Sequence, residues 1–139
     1  MTAPRDSYPL AETAPETVRA KSGRPLTEIT LEAVLAGEIG MEDLAIDPAT
    51  LDRQAAIARA AGRATLARNF ERAADLVPVP DAEIMRAYEL LRPGRAKSRA
   101  ELDALAAEFR DRWGATRIAE FIAEAAEVYE RRGLFKFRF

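Results

Sequence analysis

The chain has 139 residues, a formal net charge of −2, and neither cysteine nor histidine. That composition alone excludes thiolate nucleophiles, disulfides, imidazole bases and the usual zinc and haem ligands. Charged residues make up 32% in near balance, which argues against a general nucleic-acid binder, although Arg131, Arg132, Lys136 and Arg138 make the last nine residues basic.

The length suits one domain with a single core. No apolar run approaches the ~20 residues that span a bilayer, and residues 1–6 lack the apolar segment of a signal peptide. A cytoplasmic location is the expectation.

Residues 1–26 hold Pro4, Pro9, Pro15 and Pro25, which remove amide donors and disfavour helix before them. This reads as an irregular N-terminal arm whose sizeable apolar side chains are Tyr8, Leu10 and Val18. A helical domain follows over 27–133. Thr27 is placed to cap a short helix ending at Gly37, with Ile29, Leu31, Val34 and Leu35 as its apolar side. Residues 41–44 make a further turn. Asp47-Pro48 is an N-cap followed by proline at the first helical position. The helix it starts carries Leu51, Ala55, Ala58 and Ala61 at helical spacing, and Gly62 breaks it.

The next helix, over 64–77, puts Leu66, Phe70, Ala73 and Val77 on one face before Pro78 and Pro80 stop it. Asp81 caps a helix with Ile84, Tyr88 and Leu91 at successive turns, ended by Pro93-Gly94. Ser98 and Glu101 have capping-box spacing. Leu102, Leu105, Phe109 and Trp113 form the clearest stripe. After Gly114, Ile118, Phe121, Ile122, Ala125 and Val128 continue in the same style to a stop at Gly133. Residues 62–77 and 114–129 also share a glycine, an aliphatic-alanine pair and an Ala-Ala-acid step, as two helices solving one packing problem would. Period-two alternation is confined to the last few residues, so the fold class is all-α.

Two pairs of carboxylates at helical spacing, Glu71 with Asp75 and Glu120 with Glu124, are candidates for divided acid and base roles. Arg68, Arg72 and Arg117 lie within a turn of them, which reads instead as ion pairs on solvated faces. No phosphate-cradling glycine loop exists. Tyr88, Tyr129 and Trp113 read as core aromatics. The tail, residues 134–139, is distinctive: Phe135, Phe137 and Phe139 alternate with Lys136 and Arg138, and a free row of phenylalanine is costly in water. Docking on a neighbouring subunit is expected of it.

Six blocks recur in order: Tyr8-Pro9-Leu10; a stretch opening with Ser22-Gly23-Arg24-Pro25-Leu26-Thr27 and closing with Gly37-Glu38-Ile39; Ile46-Asp47-Pro48; Asn69-Phe70-Glu71-Arg72; Val79-Pro80-Asp81; and Leu90-Leu91-Arg92-Pro93. Together, and over nearly the whole chain, the sequence resembles the small (gamma) subunit of adenosylcobalamin-dependent diol and glycerol dehydratases. The resemblance implies an open three-helix up-and-down bundle with an irregular N-terminal part. It also implies a heterohexamer of two large, two medium and two small chains. Adenosylcobalamin would sit between large and medium subunits, where a radical reaction turns a 1,2-diol or glycerol into an aldehyde and water. This chain would brace the large subunit and supply no catalytic, cofactor-binding or metal-binding residue. Partner contacts are expected at Tyr8, Leu10, Arg92 and Pro93 within the blocks, and at Phe135, Phe137 and Phe139. The aromatic tail departs from the family's polar, lysine-rich ending, and Gly94 stands where the family has an aromatic. Only seven residues precede Tyr8, which leaves out the amphipathic extension associated with microcompartments and points to a free enzyme or the glycerol branch. The alternative is a non-enzymatic helical adaptor or regulator that binds an unrelated partner through the tail; composition does not separate the two.

Overall fold

A computed structural model of the protein describes residues 4–136. Its α-helices are α1 (Leu10–Thr13), α2 (Leu31–Leu35), α3 (Pro48–Ala60), α4 (Ala64–Leu76), α5 (Asp81–Leu91), α6 (Arg99–Trp113) and α7 (Thr116–Arg132). Short 3-10 turns and two isolated backbone bridges, Arg19–Pro25 and Ala20–Ile46, complete the regular structure among the described residues. The fold is all-α. The chain divides after Val77 into two compact units.

In the first unit, α3 begins as its sequence dictates: Asp47 Oδ2 accepts the Thr50 amide at 3.1 Å, and Pro48 occupies the first turn. Gly62, at φ +76°, reverses the chain so that α4 folds back onto α3. The seam is lined by alanine: Ala55, Ala58 and Ala67 are buried together, with Leu66 and Phe70 packed against them. Small side chains let the two backbones approach closely, at the cost of little apolar area per residue.

In the second unit, Gly114 at φ +64° makes the equivalent reversal between α6 and α7. Leu102, Leu105, Ala106 and Phe109 from α6 bury against Ile118, Ala119, Ile122 and Ala126 from α7. The shared pattern of the two segments has a structural counterpart. Arg63 and Ala115, each directly after the glycine, have similar backbone angles (φ −98°, ψ 61° and φ −78°, ψ 65°). Each following helix then buries two alanines a helical face apart, Ala67 and Ala74 in one, Ala119 and Ala126 in the other.

Three local expectations are corrected. Thr30, not Thr27, caps α2, its Oγ1 accepting the Ala33 amide at 3.2 Å, because residues 26–28 close a separate 3-10 turn. Asp81 is the first residue of α5 and Pro80 its N-cap. Tyr88 is 58% exposed, while Ala87 is the buried residue of α5. The small side chain takes the inward position that permits close packing, and the tyrosine with its polar end turns outward. At Ser98 the capping-box spacing works with a shift: Ser98 Oγ accepts the Glu101 amide at 3.4 Å, and Glu101 Oε2 accepts the Lys97 amide at 2.8 Å.

Candidate functional site

Around the N-terminal block, Tyr8, Pro9 and Leu10 line a groove of about 660 Å³ together with Val18, Leu66 and Phe70. Thr13 Oγ1 donates to the Ser7 carbonyl at 2.8 Å. Arg53, from α3, donates to the Thr17 carbonyl and so ties the segment to the helix. Tyr8 is 73% exposed and Leu10 half-buried. Among the described residues no carboxylate lines the groove, and its charged groups are Arg5 and Arg63. Arginine stays protonated at any working pH, and the rest of the lining is mostly apolar.

Next along the chain is a polar staple that the sequence reading missed. Ser22 Oγ donates to Asp43 Oδ1 at 2.6 Å, Arg24 Nε donates to the same oxygen at 3.3 Å, and the Gly40 amide donates to Asp43 Oδ2 at 2.9 Å. Arg24 Nη2 also donates to the Glu38 carbonyl at 3.2 Å, and the Lys21 amide to the Ala45 carbonyl at 2.8 Å. Asp43 is buried. The Ser22 hydroxyl first, then the Gly40 amide and Arg24, hold its carboxyl below the usual aspartate range, against the opposing effect of burial. The available signal was Gly40 three residues ahead of Asp43, the spacing at which an acid reaches back to a helix-start amide. The role is structural: every partner of this carboxylate is a group of its own chain holding two segments together.

Arg92 and Pro93 are exposed at the end of α5, where Arg92 Nη1 pairs with Glu89 at 3.1 Å. The hydroxyl of Tyr129, on α7, donates to the carbonyl of Leu91, the residue before Arg92. The Tyr129 ring also meets Phe135, with centroids 6.2 Å apart. One tyrosine therefore brings the end of α5 and the start of the tail together. Phe135 is half-buried against its own chain; Phe137 and Phe139 lie outside the described residues.

Glu71 Oε1 accepts from Arg59 Nη2 at 2.6 Å, an ion pair between α3 and α4. Glu120 and Glu124 stand exposed on α7. In the second unit, Arg86 joins α5 to Glu108 of α6, and Arg99 Nη1 of α6 meets Glu130 of α7 at 2.6 Å. Among the described residues, no three acidic side chains gather as a metal site, and no helix is long and apolar enough to cross a membrane.

Apolar side chains are instead prominent on the outside. In the first unit Leu31, Val34, Leu35, Met41, Leu44 and Ile46 are exposed, Leu35 at 78% and Met41 at 83%. In the second, Met85 and Tyr88 on α5 and Phe121 on α7 are exposed. Trp113 is half-buried, with its ring edge-on to Phe109 at 5.1 Å and the Arg112 guanidinium 4.8 Å from its centroid.

Comparison with known proteins places these features in a family. A family described as dehydratase small subunit matches residues 3–136. The propanediol dehydratase small subunit of Citrobacter freundii is 44% identical over 135 residues, covering 97% of this chain and 78% of that protein. The propanediol dehydratase small subunit of Salmonella typhimurium is 44% identical over 129 residues, covering 93% and 74%.

Proposed function

This chain belongs to the dehydratase small-subunit family, and on that premise we propose that it is the non-catalytic small subunit of an adenosylcobalamin-dependent diol dehydratase, bracing the large subunit. The observation that carries the reading is the 44% identity over nearly the full chain to two proteins of that description. Their names weigh toward a propanediol as substrate. The reaction is removal of water from the diol to leave an aldehyde.

The chemistry of this chain fits a supporting role. A corrin cobalt is commonly ligated by imidazole, and the chain contains no histidine or cysteine to offer it. As the family resemblance implies, the cobalamin belongs to the large and medium subunits, and this chain holds no step of the reaction. Its buried carboxylate, Asp43, is committed to Ser22, Arg24 and Gly40. Substrate choice lies with the large subunit, and the complex is a heterohexamer with two copies of each chain.

Co-expression with large and medium chains tests the proposal. The expected result is one stoichiometric complex that forms propanal from propane-1,2-diol only when adenosylcobalamin is added. A small chain that never co-purifies, or a large–medium pair equally active and soluble without it, overturns the reading.

A further inference from the structure

Between Arg24 and Arg53 the sequence contains no basic residue and seven acidic ones, although the whole chain carries only −2. The rest of the molecule is thus net basic, and the acidity is concentrated in one stretch. Among the described residues, the same stretch holds six of the first unit's seven exposed large apolar side chains, Leu31 to Ile46, Tyr8 being the seventh. Two independent features, apolar exposure and charge of one sign, coincide there.

Helix α2 sharpens the point. It has five residues and buries none of them, and Leu31, Val34 and Leu35 all face solvent. So short a helix is not stable in water on its own propensity, since nucleation costs more than one turn of hydrogen bonds returns. The Thr30 cap satisfies one amide of its first turn, the Ala33 N–H. An apolar face pointing outward adds nothing until something covers it. The neighbouring backbone is nonetheless fixed from behind: Arg24 holds the Glu38 carbonyl, and Asp43 holds the Gly40 amide. The segment is set in place with its apolar side chains outward, which lowers the ordering cost of association.

We propose that residues 31–46 are the face by which this chain docks on the large subunit, and that it meets a surface of apolar pockets rimmed by lysine and arginine. The proposal rests on the family reading and adds the location and chemistry of the contact. Leu35 and Met41 are the anchors, and Glu32, Glu38 and Glu42 form the acidic rim. A second copy of this chain is the poorer occupant. A two-fold contact brings a patch against itself, so these acids would face one another. A basic partner gains from the same charges in both steering and register.

The test uses the assembled dehydratase. Tagged small chain is titrated into large–medium complex prepared without it, and retention and propanediol turnover are measured together. Leu35→Asp with Met41→Asp should weaken retention at least tenfold while the free chain keeps its helix content, because both side chains are exposed. Glu38→Lys with Glu42→Lys should weaken it at least threefold and flatten its salt dependence, whereas Glu120→Lys with Glu124→Lys should match wild type. Undiminished retention of both face variants overturns the proposal. So does a wild-type dimer of the free chain that Leu35→Asp converts to monomer, which makes a second copy the occupant. If wild-type chain itself is not retained, the family-based reading fails, and the proposal with it.

Discussion

Ser22 Oγ donates a 2.6 Å hydrogen bond to Asp43 Oδ1, joining segments 21 residues apart in a part of the chain with little apolar burial. A hydroxyl, a guanidinium and a backbone amide converge on one carboxylate there. Removing that carboxylate's charge weakens three interactions at once.

Asp43→Asn should therefore lower the thermal midpoint of the chain by a few degrees at neutral pH. Because these donors favour the charged form, the folded-state pKa lies below the ordinary value of 3.8. The stabilisation is fully present above 3.8 and is lost as pH falls through the folded-state pKa. The gap between wild type and Asp43→Asn should be constant near neutrality and close in that acidic window. Melts followed by circular dichroism at a series of pH values check it; a gap that stays open at the acid end argues against the charge as its source.

The helical hairpins were legible because their signals are local. Leu102, Leu105 and Phe109 are the buried stripe their spacing announces, and Gly62 and Gly114 sit at the reversals, where positive φ suits glycine. Asp47-Pro48 starts α3 as its chemistry requires. Tyr88 was misread because a stripe at three- and four-residue spacing leaves its rotation open by one residue, and only the neighbouring helix decides between Ala87 and Tyr88. The Asp43 staple was missed for a different reason. Its partners are far apart in sequence, and no periodicity marks a contact between two irregular segments.

Alanine at the α6–α7 seam sets a second expectation. Ala119 is fully buried between helices that also bury Phe109 and Ile122. Ala119→Leu forces added methylenes into that seam and should destabilise by about 1–3 kcal/mol, and Phe109→Ala, which opens a cavity, by about 3–5 kcal/mol. Urea unfolding of the free chain measures both. A neutral Ala119→Leu would mean that the seam is looser than its burial indicates.

Single replacements of Glu71, Asp75, Glu120 and Glu124 by Gln should leave the turnover of the assembled enzyme within about threefold, a barrier change of ~0.7 kcal/mol or less. Glu71→Gln is expected to show its effect in stability instead, by at most about 1 kcal/mol, since it loses an ion pair to Arg59 that is largely open to solvent. A hundredfold loss of turnover in an intact complex would place chemistry on this chain.

The tail divides at Phe135. Its ring rests on Tyr129, whose hydroxyl in turn holds the Leu91 carbonyl, so this phenylalanine is engaged within the chain rather than only awaiting a neighbour. Tyr129→Phe keeps the ring contact and drops the hydrogen bond, and should cost about 1 kcal/mol. A double-mutant cycle of Tyr129→Leu and Phe135→Leu isolates the ring pair, for which a coupling of about 0.5–1.5 kcal/mol is expected in the free chain. Helix content should survive in both variants, because Gly133, at φ +65°, and the Leu134 amide, which donates to the Tyr129 carbonyl at 2.9 Å, close α7 through backbone groups. A coupling of zero in the free chain, with Phe135→Leu weakening only retention by the large subunit, would assign the ring to the partner, as the alternating row of phenylalanines first led us to expect.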